Sequence, residues 1–161
     1  MSQVLEFDSN KKSYQLGKNG PTVWITTNDP ELPGRVRKAL SNIQNDVPKF
    51  LNAHSRKMVI TNNVGNVSTG NIQKDLELLS KADNYVKSQI DYIFGYEVSK
   101  DIFGVVSAFT VDDKTGEYLF ERLINVFIPV INEEYKTSVT KMKSRIKKYS
   151  DRKGTHPALR K

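Results

Sequence analysis

Cysteine is absent from this chain of 161 residues, which excludes disulfide bonds, thiolate zinc sites and thiol nucleophiles and favours a reducing cytosol. Long hydrophobic runs are absent as well. The longest, from Val126 to Ile131, is far shorter than the roughly 20 residues that a membrane-spanning helix requires. The first residues bring Glu6 and Asp8 almost at once, which is unlike a signal peptide. We therefore expect a protein that neither spans a membrane nor is exported by that route.

The sequence has few candidates for a metal site or a phosphate-binding loop. The two histidines, His54 and His156, have no second histidine or acid at metal-ligand spacing. The segment Gly65 to Gly70 has the outer spacing of a phosphate-binding loop, but Asn71 and Ile72 occupy the places of its lysine and its hydroxyl residue. The sequence therefore predicts no metal and no cofactor.

Carboxylate clusters are limited to two pairs, Asp112-Asp113 and Glu133-Glu134. Neighbours in sequence point apart on a helix and are solvated separately in a turn, so neither pair favours acid-base catalysis. Residues 112–116 are typical of a turn, which would be a hairpin turn if 109–111 and 118–120 were strands. We expect a protein that is not an enzyme and has no catalytic residues.

The N-terminal residues 1–27 predict a small antiparallel β-sheet. Val4 to Phe7 and Tyr14 to Leu16 alternate around a turn-prone segment at 8–12, which indicates a hairpin. Thr22 to Thr27 is rich in β-branched and aromatic residues and predicts a third strand.

Residues 28–150 predict helices. Asn28 to Glu31 is typical of a helix start, and Pro48 should stop or kink that helix. Residues 54–70 are rich in Asn, Ser, Thr and Gly and predict a long mobile loop. A second helix is predicted by apolar residues at helical spacing: Ile72, Leu76, Leu79, Val86, Ile90 and Ile93.

Two further helices complete the predicted bundle. A short one covers 98–103, and the longest covers Gly116 to Asp151 with a kink at Pro129. The spacing places four apolar residues on one side of the longest helix: Leu119, Leu123, Val126 and Val130. We therefore expect an α+β fold, mostly α, with a single domain over 1–150 and a basic flexible tail over 151–161.

The positive charge is concentrated at the C-terminal end. The chain has a net charge of +7. Residues 141–161 contain nine Lys/Arg and the single acid Asp151, whereas residues 1–140 contain sixteen basic and seventeen acidic residues. An apolar stripe at spacings of four, three, four and three residues shares this helix: Tyr135, Val139, Met142, Ile146 and Tyr149. The basic residues on its other faces are Lys141, Lys143, Arg145, Lys147, Lys148, Arg152 and Lys153.

Several interpretations of this helix stay open. Lys and Arg could replace counterions on a nucleic acid, with Tyr149 available for stacking. The stripe could instead lie on a membrane surface, although Thr137, Ser138 and Thr140 weaken that face. In the third interpretation, the stripe docks in a groove or coiled coil and the charges select an acidic protein partner. A solvated helix end followed by a solubilising tail is the simplest alternative. We favour protein association, with self-association possible.

A pattern of aromatic residues followed by glycine, together with a final basic helix, resembles tail assembly chaperones of siphophages and prophages of Gram-positive bacteria. The segments that carry this pattern are Tyr92–Gly95, Ile102–Gly104, Gly116–Glu121, Pro129 and Arg145–Tyr149. The resemblance implies a protein that works in the host cytoplasm, binds the tape measure protein, keeps it soluble and recruits tail tube subunits around it. Such families often make a second, longer product by ribosomal frameshifting.

The leading hypothesis is therefore a non-catalytic tail assembly chaperone. The stripe and the basic residues beside it would be its partner-binding site, with the tape measure and tail tube proteins as partners. The alternatives are a regulatory protein that binds nucleic acid through the basic helix and a small phage-encoded inhibitor of a host protein.

Overall fold

A computed structural model describes residues 2–61 and 69–155, with the backbone alone for 51–61, 69–72 and 151–155. The order of elements is β1 (Lys12–Gln15), β2 (Thr22–Ile25), α1 (Leu32–Thr61), α2 (Thr69–Phe94), α3 (Ser99–Phe103) and α4 (Leu119–Thr155). The prediction of an α+β, mostly helical fold with an N-terminal antiparallel sheet and a long C-terminal helix is confirmed.

The sheet is a two-stranded hairpin whose strands differ from the predicted pair. β1 runs antiparallel to β2, with Tyr14 opposite Val23. The link between the strands is closed by the Leu16 N–H, which donates to the Pro21 carbonyl at 2.9 Å. The predicted strand over Val4 to Phe7 is wrong: residues 2–11 lie outside any strand, because the short link already brings β2 beside β1 and leaves the first apolar run without a partner.

Helix α1 begins where the sequence predicts, because the Asp29 carboxylate accepts the Glu31 N–H at 2.9 Å just before the first turn. Of the two outcomes predicted for Pro48, a stop or a kink, the stop is wrong, since α1 continues through Pro48 to Thr61. Pro48 is exposed, so water reaches the carbonyl that proline leaves unbonded. The predicted loop over 54–70 is wrong at 54–61 and 69–70, which are helical, and 62–68 lie outside the described residues.

Helices α1 and α2 pack as an antiparallel pair. Arg35 Nε donates to the Ile93 carbonyl at 3.4 Å and Asn42 bonds Gln89 at 3.0 Å, while Tyr85 donates to Asp46 near the other end. The helix predicted from the apolar spacing between Ile72 and Ile93 is confirmed as α2. Of its apolar residues, Val86, Ile90 and Ile93 are buried, whereas Leu76 is 58% exposed. The short helix α3 is also confirmed, and it ends at Gly104.

The connection from α3 to α4 is held by hydrogen bonds to acids. Asp83 accepts the Ala108 N–H at 2.7 Å, and Asp112 accepts the N–H groups of Lys114 and Thr115, each at 2.9 Å. The alternative of two strands around the turn at 112–116 reduces to a single antiparallel bridge, because residue 120 already belongs to α4.

Helix α4 begins at Leu119, where Glu121 reaches back to accept the Tyr118 N–H at 3.0 Å, which is one of the two hydrogen bonds of a capping box. The core covers only part of the apolar side that the spacing predicts: Leu123 is buried and Leu119 is half-buried against the core, but Val126 is 57% exposed. The side that is buried consists of Phe120, Leu123, Ile124, Phe127 and Ile131. This segment is apolar on several sides, and the side with two phenylalanines buries the larger area.

Phe127 joins the elements of the core. Its ring meets Tyr14 of β1 edge to face at a centroid distance of 5.5 Å and Phe94 of α2 at 5.3 Å. The first part of α4 is therefore fixed to both the hairpin and the helical pair.

Candidate partner-binding helix

Helix α4 is 37 residues long, and at about 1.5 Å per residue it extends roughly 55 Å. Among the side chains of α4 that the structure describes, at 119–150, the buried ones end at Ile131. Pro129 lies inside the helix, which continues to Thr155 beyond the predicted end at Asp151. Much of α4 thus extends past the hydrophobic core.

Two polar contacts tie α4 to the N-terminal hairpin and the start of α1. Lys12 Nζ lies 2.6 Å from Glu134 Oε1, and this carboxylate raises the pKa of Lys12 by accepting its hydrogen bond. One turn later, the Ser138 hydroxyl donates to the Asn28 carbonyl at 2.6 Å. These contacts mark the end of the segment that the body supports, because every residue from 140 to 150 is exposed.

The apolar stripe predicted from the sequence lies on this extension. Its exposed fraction increases along the helix, from a half-buried Val139 through Met142 at 40% and Ile146 at 54% to Tyr149 at 63%. Tyr135, the first member, is 39% exposed. Four of its five members are therefore open to a partner.

Basic residues flank the stripe on both sides. At about 100° per residue, Lys136, Lys143 and Lys147 follow one border of the stripe. Lys141, Arg145 and Lys148 follow the other border, and the opposite face is neutral around Thr140 and Ser144. None of the six basic side chains pairs with an acid among the side chains that the structure describes. The helix thus presents an apolar strip between two positive borders.

An open groove of about 470 Å³ lies between this helix and the hairpin. The lining from α4 includes Lys141, Met142 and Arg145, and the opposite wall is formed by Lys12, Asn28 and Pro30. A partner bound to the stripe would therefore lie close to the hairpin and the start of α1 on the side of Lys141 and Arg145. The side of Lys143 faces away from this groove.

Two residues of the predicted partner-binding site have no described side chain. Arg152 and Lys153 belong to the helical backbone of α4, but their side chains lie outside the described residues, as does all of 156–161. The sequence interpretation missed Lys12 and Lys136. Lys136 follows Tyr135 directly, so the heptad spacing could have identified it, whereas the approach of Lys12 depends on the tertiary fold.

Two of the four acids considered for catalysis, Asp112 and Glu134, have structural contacts. Asp112 holds a turn, and the N–H groups of Thr115 and Lys114 lower the pKa of its carboxyl by hydrogen bonding to the charged form. Within residues 2–61 and 69–155, no cluster of three or more acids or histidines could hold a metal ion. None of the helices in this described part has the length and hydrophobicity needed to cross a bilayer.

Comparisons with known proteins found no match among family models, curated proteins or solved structures. The features that indicate a function are therefore the geometry of α4 and the pattern of residues along it.

Proposed function

We propose that this protein is a non-catalytic assembly chaperone that binds an apolar, helical protein partner along the stripe of α4. The observation that carries the proposal is an apolar stripe, 40 to 63% exposed from Met142 to Tyr149, on a helix whose start is anchored in the core. A continuous apolar strip at helical spacing is suited to another helix or to a helix-binding groove. Burying it would remove apolar area from water at about 25 cal/mol per Å².

The resemblance to tail assembly chaperones gives this role a setting. In that setting the partner is the tape measure protein, a long helical chain, and the complex forms in the host cytoplasm and recruits tail tube subunits. The basic borders would hold the chaperone's helix in register on acidic positions of the partner, since charges at a rim add specificity and association rate more than affinity.

The test is co-expression with the tape measure protein that this role requires the same genome to encode, with the soluble yield and the co-purified fraction measured. We expect the wild type to increase both and Ile146→Asp to abolish the increase. The matched control is Leu76→Asp, because Leu76 is 58% exposed on α2 and Ile146 54% exposed on α4. Co-purification that is absent, or that Ile146→Asp and Leu76→Asp reduce equally, contradicts the proposal.

Nucleic-acid binding is the second candidate, favoured by the basic side chains of α4 that pair with no described acid. Binding of this kind would retard DNA or RNA with a steep dependence on salt, because each phosphate contact releases counterions. It would also disappear when 141–161 is removed and would be indifferent to Ile146→Asp. This last response separates it from the chaperone role.

A further inference from the structure

The stripe of α4 follows a heptad pattern. In heptad notation, Tyr135, Met142 and Tyr149 occupy d positions, and Val139 and Ile146 occupy a positions. These are the positions that interlock with a second helix in a coiled coil. The spacing continues without interruption along the exposed part of the helix.

The positions beside this seam carry positive or neutral residues. Each e position follows a d residue, which places Lys136, Lys143 and Ser150 there. Each g position precedes an a residue, which places Ser138, Arg145 and Arg152 there. None of the six is acidic, although e and g residues face each other across a coiled coil and select the partner.

Pairing between two copies of this helix would therefore gain no contact between opposite charges, and an antiparallel pair would bring like charges together. In a parallel pair each g residue faces an e residue of the other helix, and in an antiparallel pair g faces g and e faces e. Every such combination here is either basic with basic or basic with neutral. The e and g positions thus disfavour self-association through the stripe.

We infer that α4 forms a heterotypic coiled coil with a helix from another protein, one that carries apolar residues at a and d and Glu or Asp at e and g. Such a partner would cover the stripe and neutralise both borders at once. The seam from Tyr135 to Tyr149 is short, so the charges contribute a large share of the selectivity. This inference rests on the proposed function, and it specifies the chemistry of the partner.

The experiment uses the full chain and synthetic helical peptides of about three heptads. One peptide has Leu at a and d with Glu at e and g. A second has Lys in place of Glu, and a third keeps Glu but has Ala in place of Leu. Fluorescence anisotropy measures binding at low and high salt, and sedimentation measures the oligomeric state of the protein alone.

We expect binding of the Leu/Glu peptide only, and no concentration-dependent dimer of the protein through α4. Equal binding of the Ala/Glu peptide would overturn the inference, because it would show attraction to negative charge without helix packing. Binding of the Leu/Lys peptide, or a dimer that Ile146→Asp dissolves, would overturn it as well.

Charge reversal provides the decisive variant. Lys143→Glu with Arg145→Glu should weaken binding of the Leu/Glu peptide about tenfold and create binding of the Leu/Lys peptide. Lys81→Glu with Lys114→Glu is the control, because it makes the same change in net charge at exposed positions away from α4. If neither charge pattern matters, the inference fails. Capture of the tape measure protein that still depends on Ile146 would then leave the proposed function standing.

Discussion

Replacement of Phe127 by alanine should cost about 4 kcal/mol of unfolding free energy, since the ring is the point where α4, the hairpin and α2 meet. Phe127 is only 4% exposed, and removing a buried phenylalanine side chain typically costs about 3 to 5 kcal/mol. Its two edge-to-face contacts, at 5.5 and 5.3 Å, place the cost towards the upper half of that range.

The neighbouring Val126 supplies the control. Val126→Ala removes an apolar side chain from the same helix, but one that is 57% exposed, and should change stability by less than about 0.5 kcal/mol. Urea unfolding measures both, with the single tryptophan, Trp24, reporting on β2 and circular dichroism on the helices. Coincidence of the two transitions establishes that unfolding is two-state.

A cost for Val126→Ala equal to that for Phe127→Ala would refute the assignment of the buried side of α4. Because about 4 kcal/mol is a large part of the 5 to 15 kcal/mol typical of a domain, Phe127→Leu provides a milder variant. Its cost should fall between those of the other two variants, in the order of buried volume lost.

Three further predictions concern one hydrogen bond and two added β-carbons. The Asp46 carboxylate accepts a hydrogen bond from the Tyr85 hydroxyl, and this raises the pKa of Tyr85 to about 12. One of the seven tyrosines should therefore ionise near pH 12 in absorbance titration, and Asp46→Asn should lower that value. The pair's stabilisation is then fully present below the unfolded pKa of about 10 and is lost as pH rises through 12; tyrosines that all ionise together would contradict this. Gly20→Ala should disrupt the hairpin, because a β-carbon there would lie 1.5 Å from the Leu16 carbonyl oxygen. Gly34→Ala, in an open position of α1, should stabilise by about 0.5 to 1 kcal/mol in urea unfolding, and destabilisation there would be the contrary result.

The helices with one clear apolar period were predictable from the sequence. Helix α2 has a single seam, and Ile90 and Ile93 are buried as their spacing indicates. The buried side of α4 was not predictable in the same way, because 119–131 offers apolar residues on more than one side. The choice among them depends on the rings of Tyr14 and Phe94, which meet Phe127 only after the chain has folded.

Polar composition misled the interpretation of 54–61 and 69–70 because it removes the apolar period by which a helix is recognised. Pro48 misled it for a different reason. A proline inside a helix leaves the carbonyl four residues before it without its helical partner, but here Gln44, which carries that carbonyl, and Pro48 are both exposed to water. The stripe of α4 could be predicted because apolar residues recur at the same spacing on buried and on exposed helix faces. Which part of α4 is covered by the rest of the protein is visible only in the structure.

The core side of α4 and the stripe are neighbouring faces of one helix. On a helix that turns about 100° per residue, Ile131 lies about 40° from Tyr135 and Phe127 about 80° from it, so the apolar strip winds partly around the helix as it passes from inside the protein to outside it. The first part of this strip is covered by β1 and α2 and the second part by no element of the described chain. A partner helix on the stripe would thus continue the hydrophobic core in the same direction. The anchoring contacts at Glu134 and Ser138 fix where the protein's own cover ends, and that position in turn fixes the register at which a partner begins.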